Sequence, residues 1–147
     1  MKIIAECAIN YNSMEEAKLM IKRSKEVGCW ASKFQLFNES NITNPEIRDY
    51  CMERMLDLDK AKMLFEYGKE IGQEVFFTPM YDCIDFLEEL GVNYYKIRCK
   101  DNKNFPLVKK CLNTKKKVFI SVDFMPDLRT KQIKLHRQRE VIQDRAF

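Results

Sequence analysis

Five short runs of strand-forming residues recur along this chain of 147 residues, and each delivers polar or charged side chains toward its carboxyl end. They are Lys2–Ala8 with Glu6, Ala31–Phe37 with Lys33 and Gln35, Glu74–Thr78, Tyr94–Arg98 with Lys96, and Val118–Val122 with Ser121. Amphipathic stretches of helical period separate them. Alternation of strand and helix with short connections predicts right-handed crossovers and a parallel sheet. In such folds ligands bind at the carboxyl ends of the strands, so the polar residues there are the first candidates for chemistry.

The helical stretches carry their own boundaries. Ser13 and Glu16 form an S-x-x-E capping box, Ala17, Met20, Ile21, Ser24 and Val27 follow helical spacing, and Gly28 suits a left-handed stop. A second helix is predicted from an N-cap at Asp59, through Leu64, Gly68 and Ile71, to Gly72. Asp82 is the predicted cap of a third, with Cys83, Phe86, Leu87 and Leu90 inward and Gly91 as its stop. Asn104 and Pro106 open a fourth. Asn38–Leu58 interrupts the rhythm as a loop with a short helix around Ile47–Met55, either a mount for substrate contacts or a surface excursion.

Two α/β architectures satisfy this order: an incomplete, half TIM-type barrel of about five strands, or a flavodoxin-like open sheet. A closed barrel needs roughly 200 residues or more, so this length cannot close one alone. The expected organisation is a partial βα barrel over residues 1–122 and a basic, helical tail over 123–147. Asp127–Phe147 holds six Lys/Arg against three Asp/Glu, which accounts for most of the net charge of +4. No aromatic residues interleave with those charges, so nucleic-acid or membrane contact is not expected.

With 46% hydrophobic residues the chain can fill a single core. Its six cysteines, Cys7, Cys29, Cys51, Cys83, Cys99 and Cys111, include no C-x-x-C pair, and His136 is the sole histidine, so neither a zinc cluster nor a disulfide framework is indicated. The opening Met-Lys-Ile-Ile-Ala-Glu lacks a secretory apolar core, and no apolar run approaches the ~20 residues of a membrane span. A cytoplasmic protein with free thiols is the expectation.

The strand-end residues resemble one family. Ala5-Glu6-Cys7-Ala8-Ile9-Asn10-Tyr11-Asn12-Ser13 is similar to the A-E-I-G-x-N-H-x-G opening of the sialic acid synthases (N-acetylneuraminate synthases), and Ser32-Lys33-Phe34-Gln35 to their V-K-F-Q strand. Phe77-Thr78-Pro79-Met80 resembles their S-T-P-F, Tyr95-Lys96-Ile97 their K-I-x-S, Phe105-Pro106-Leu107 their N-x-P-L, and Val118-Phe119-Ile120-Ser121 their V-I-L-S-T-G. The resemblance runs in order from about Ile3 to Val122 and covers the N-terminal part of the catalytic barrel.

It implies a phosphoenolpyruvate-dependent condensation with an N-acetylated amino sugar, a C–C bond-forming transfer in nonulosonic acid biosynthesis. Phosphoenolpyruvate carries a phosphate and a carboxylate, so cationic and hydroxyl donors must converge on it. Lys33, Gln35, Thr78, Lys96 and Ser121 are the candidate substrate-binding residues, and Glu6 is the candidate catalytic acidic residue toward the sugar. The family also implies a divalent metal, manganese or magnesium, whose histidine ligands come from later strands; no metal ligands are assigned within this chain.

Each candidate has a structural alternative. Glu6 and Lys33 suit a structural ion pair, Thr78 before Pro79 suits a strand terminus, and Gln35 and Ser121 suit interior polar packing. Lys96, between Tyr95 and Ile97 in a strand expected to be buried, is the hardest to explain without an anion. The chain departs from the family pattern at Tyr11 for its histidine, at Ala8 and Ser13 for its glycines, and at Arg98 and Cys99 for the glycine and serine after K-I. A catalytically inactive half-barrel, truncated and acting as a small-anion-binding or interaction module, is therefore the alternative. Its open sheet edges predict a homodimer, or a C-terminal helix over one edge.

Overall fold

The computed structural model describes residues 2–80 and 82–122, so the expected basic tail, His136 included, lies outside the described residues. Five parallel strands form one sheet in the order β1-β2-β3-β4-β5: β1 Ile4–Ala8, β2 Ala31–Leu36, β3 Glu74–Pro79, β4 Tyr94–Ile97 and β5 Lys117–Ile120. Among the described residues five α-helices accompany them: α1 Met14–Glu26, α2 Arg48–Glu53, α3 Leu58–Ile71, α4 Ile84–Leu90 and α5 Phe105–Asn113. Strictly sequential strand order is that of a (β/α) barrel, whereas a flavodoxin-like sheet places β2 outside β1.

Helix placement gives the same answer independently. Ala17 and Ile21 of α1, Ala61 and Leu64 of α3, Ile84 and Leu87 of α4, and Leu107 and Cys111 of α5 all join one core with Phe34, Val75, Phe77, Tyr95 and Val118 of the sheet. Side chains alternate faces along a strand, so these sheet residues share one side. The other side carries a separate aromatic cluster of Ala31, Phe76 and Phe119, with Ile4, Trp30 and Tyr94 packed against it. A doubly wound sheet would cover both faces with helices; here all four major helices cover one. The described residues thus form an open half of a TIM-type barrel, and the face these helices leave is the barrel interior.

Most predicted boundaries hold, and the exceptions have local causes. Ser13 Oγ accepts from the Glu16 N–H at 3.1 Å, but the Glu16 carboxylate reaches back to the Asn12 N–H at 2.7 Å, so the box closes one residue early. The cap of α3 is Asp57, not Asp59: its carboxylate accepts from Lys60 N–H at 2.7 Å, which lets Leu58 begin the helix against the core. Asp82 does not cap α4, whose N-cap is Cys83 without a side-chain bond; Asp82 is instead held by Lys110 at 2.7 Å. Asn104 caps α5 as predicted, accepting from Leu107 N–H at 3.3 Å.

One consequence of the Ala8 departure is visible in the backbone. Ala8 lies at φ 46°, beside a register irregularity between Glu6 and Ala8. A Cβ is disfavoured there by ~1–2 kcal/mol, partly offset by the greater unfolded-state freedom of glycine. Ala8→Gly is expected to raise stability by about 0.5–1 kcal/mol, read from urea denaturation midpoints; a loss of stability would show that this turn carries no such strain.

The interruption between β2 and α3 folds over the carboxyl rim. Phe37, Cys51 and Met80 form a small cluster with Ile9, Ile42 and Met55, Tyr11 donates its hydroxyl to the Arg54 carbonyl at 2.8 Å, and Asn41 donates to the Met80 carbonyl at 3.1 Å. Tyr11 is buried at this contact and its hydroxyl is pushed well above the ordinary tyrosine range by burial. The residue standing in place of the family's histidine therefore anchors the excursion to the sheet end.

Candidate functional site

The inward face is built in layers. Register places Glu6 beside Lys33, Gln35 beside Thr78, and Lys96 beside Phe119, while the Phe77–Tyr95 pairing puts Thr78 next to Lys96. On each strand the inward apolar residue is followed two positions later by a polar one: Ile4 by Glu6, Ala31 by Lys33, Phe76 by Thr78, Tyr94 by Lys96 and Phe119 by Ser121. The period of two fixes this arrangement, because residues i and i+2 of a strand share a face and the second lies nearer the carboxyl end. An aromatic floor thus supports a polar layer, and five of the six predicted site residues form that layer. Gln35, half-buried, lies two residues beyond Lys33 on β2, level with Thr78.

Hydrogen bonds knit the layer into two groups. The Lys33 ammonium lies 2.6 Å from a Glu6 carboxylate oxygen and donates to Thr78 Oγ1 at 3.0 Å. Lys33 and Thr78 are buried, at 3% and 0% exposure, whereas the Glu6 side chain is 55% exposed. Lys96 donates to Ser121 Oγ at 2.5 Å, and the Ser121 N–H continues the sheet pattern to the Ile97 carbonyl at 2.9 Å. The two ammonium groups lie on the same side of the sheet and are near enough to interact. Burial pulls Lys33 below the ordinary lysine range, the Glu6 carboxylate opposes that shift, and the Lys96 charge adds to it.

Such a layer is suited to an anion. Among the described residues Lys33, Lys96, Thr78 and Ser121 face the same space as the Glu6 carboxylate, and a buried ammonium gains most from a ligand that adds negative charge. The remaining neighbours do not compete for the role. Cys7 points to the helix side, and burial pushes its thiol up to about 11, so it is not a nucleophile near neutrality. Arg98 shares the inward face but is ion-paired with Asp101 three residues on, so its charge is already neutralised locally. That pairing, an i,i+3 contact across a short turn, was legible in the sequence as Arg-Cys-Lys-Asp but was not part of the predicted site.

The metal implied by the resemblance does not fit these residues. No group of three or more His, Cys, Asp or Glu side chains able to hold an ion occurs among the described residues, and the polar layer presents two ammonium groups to a dication. A cavity of about 560 Å³, lined by Lys2, Trp30, Tyr94, Lys117 and Phe119 among others, lies at the opposite, amino ends of the strands, below the aromatic floor.

Sequential parallel strands, helices on one face and a cationic polar layer at the carboxyl ends define part of a TIM-type barrel with an anion-suited rim. A family model described as the NeuB family matches residues 20–126. The chain belongs to the NeuB family. Among curated relatives, N-acetylneuraminate-9-phosphate synthase of Mus musculus is 31% identical over 138 residues, covering 81% of this chain and 38% of that protein. An uncharacterized protein of Methanocaldococcus jannaschii is 30% identical over 123 residues, covering 81% of this chain and 36% of its own. The chain therefore spans little more than a third of these relatives.

Solved structures give the same fold. An N-acetylneuraminic acid synthetase from Leptospira borgpetersenii, determined in complex with citrate, superposes with a TM-score of 0.79 at 24% identity, covering 86% of this chain and 46% of that one. A truncated 3-deoxy-D-arabino-heptulosonate 7-phosphate synthase from Thermotoga maritima matches with a TM-score of 0.63 at 18% identity, covering 85% and 41%. Among the described residues no helix is long and apolar enough to cross a membrane.

Proposed function

We propose that the polar layer binds phosphoenolpyruvate, and that the chain supplies this part of a site for its condensation with an N-acetylated amino sugar in nonulosonic acid synthesis. The observation that carries the reading is Lys33: an ammonium buried to 3% exposure, aimed at the layer shared with Thr78 and Lys96. Lys33, Thr78, Lys96 and Ser121 would hold phosphate and carboxylate, with Gln35 at the rim. Glu6, half exposed while paired to Lys33, keeps oxygen lone pairs for a sugar hydroxyl. The synthases among its relatives support the chemistry, and turnover would draw on further strands.

Calorimetric titration with phosphoenolpyruvate is expected to show saturable heat at one site per chain. Absence of both heat and thermal shift at millimolar ligand would sink the assignment. A second reading, anion binding without turnover, is favoured by the lack of an ion-holding cluster among the described residues and by the self-paired Arg98. A turnover assay with manganese, phosphoenolpyruvate and N-acetylmannosamine separates the two, since only the first reading expects phosphate release.

The strand edges bear on assembly. Among the described residues β1 and β5 each pair with a strand on one side only, leaving backbone donors and acceptors along both edges. We propose association of two chains through these edges. Light scattering is expected to give twice the monomer mass, and a strict monomer at titration concentrations would overturn it.

A further inference from the structure

We propose that Lys33 forms an imine with the carbonyl carbon of a 2-oxo acid whose carboxylate is held by Lys96 and Ser121. The inference rests on the anion site proposed above and adds a covalent activity to it. Four features of the layer carry the argument. Lys33 is enclosed, so an imine there is shielded from water. A carboxylate oxygen stands 2.6 Å from its nitrogen and can take the ammonium proton. The Thr78 hydroxyl, at 3.0 Å, can relay a proton between nitrogen and carbonyl oxygen. The neighbouring Lys96 both disfavours a second positive charge at Lys33 and offers a carboxylate its counter-ion, the combination that activates amines for carbonyl attack. A 2-oxo acid such as pyruvate shares the carboxylate and three-carbon frame of phosphoenolpyruvate, and in addition presents a carbonyl where the latter has an enol ester.

The Lys33 ammonium gives a proton to Glu6, and the free amine attacks the carbonyl carbon, opening the C=O π bond onto oxygen. A proton passes from nitrogen to that oxygen through Thr78, giving a carbinolamine. Glu6 then returns its proton to the departing hydroxyl, the C–O bond breaks, and water leaves behind a protonated imine. Ammonium and ketone have become iminium and water, with charge unchanged.

The test is reductive trapping of the full chain with pyruvate and sodium cyanoborohydride, read by peptide mass mapping. One N-(1-carboxyethyl) group is expected at Lys33 under conditions that leave exposed lysines such as Lys62 unmodified. Lys33→Arg is expected to abolish the adduct, and Glu6→Gln to slow its formation at least roughly tenfold. Phosphoenolpyruvate, which cannot form an imine, is expected to protect Lys33. An absent adduct, or labelling spread evenly over surface lysines, overturns the inference. Heat on phosphoenolpyruvate titration without an adduct removes the imine alone; an adduct without heat or protection removes the phosphoenolpyruvate reading and leaves the imine.

Discussion

Under the proposed assignment, Lys33→Met is expected to weaken phosphoenolpyruvate binding by about 100-fold, because each charge-assisted hydrogen bond from a buried ammonium is worth about 1.5–3 kcal/mol and tenfold in affinity is about 1.4 kcal/mol. The same substitution costs the fold little. Burial of the Lys33 ammonium is already unfavourable, because it withdraws the charge from water, and Glu6 is exposed enough to be hydrated once its partner is gone. Thr78 loses its donor, at a cost of about 1 kcal/mol. Calorimetry on the variant and its urea midpoint measure the two effects side by side. A variant that unfolds as readily as it loses ligand would assign the Glu6–Lys33 pair to structure and leave the anion site without its central cation.

Gly68→Ala is expected to destabilise the chain by about 2–3 kcal/mol. Gly68 lies on the buried face of α3, where an added Cβ would stand 2.9 Å from the Gln73 carbonyl oxygen and closer still to a methyl of Val75. The carbonyl belongs to the backbone turn entering β3 and cannot rotate away, so helix and strand must separate or the methyl must be displaced; overpacking of this kind costs about 1–3 kcal/mol and can cost more. Alanine regains up to ~1 kcal/mol through its helix propensity, which the clash outweighs. The shift is read as a fall in melting temperature of roughly 5–10 °C. Adding Val75→Ala relieves the methyl contact and is expected to give less than the sum of the single losses. Additive losses would place the strain at the Gln73 carbonyl alone.

Much of this architecture was legible before any coordinates. Strand identity followed from short β-rich runs ending in polar residues, and the Ser13, Asn104, Gly72 and Gly91 helix ends followed from capping chemistry that depends only on neighbours in the chain. Choosing Asp57 over Asp59, or Cys83 over Asp82, depends on which residue can start the helix while its next apolar neighbour meets the core; such packing is not local. The same limit applied to the site. Each polar residue was found singly, at the end of its run, but their common layer depends on register between strands, and the choice between half-barrel and flavodoxin-like sheet depends on strand order. Arg98 illustrates the converse: its pairing with Asp101 was readable from spacing, yet only the geometry shows that it takes the guanidinium out of contention.

The aromatic floor has a practical bearing. Trp30 is the single tryptophan of the chain, set edge-on against Tyr94 at 4.7 Å between ring centroids, beside Phe76 and Phe119, with the Lys2 ammonium 4.3 Å above its ring. Its emission is therefore an intrinsic optical reporter located on the inward face of the sheet, and a spectral change on mixing chains would register burial of that face without any label.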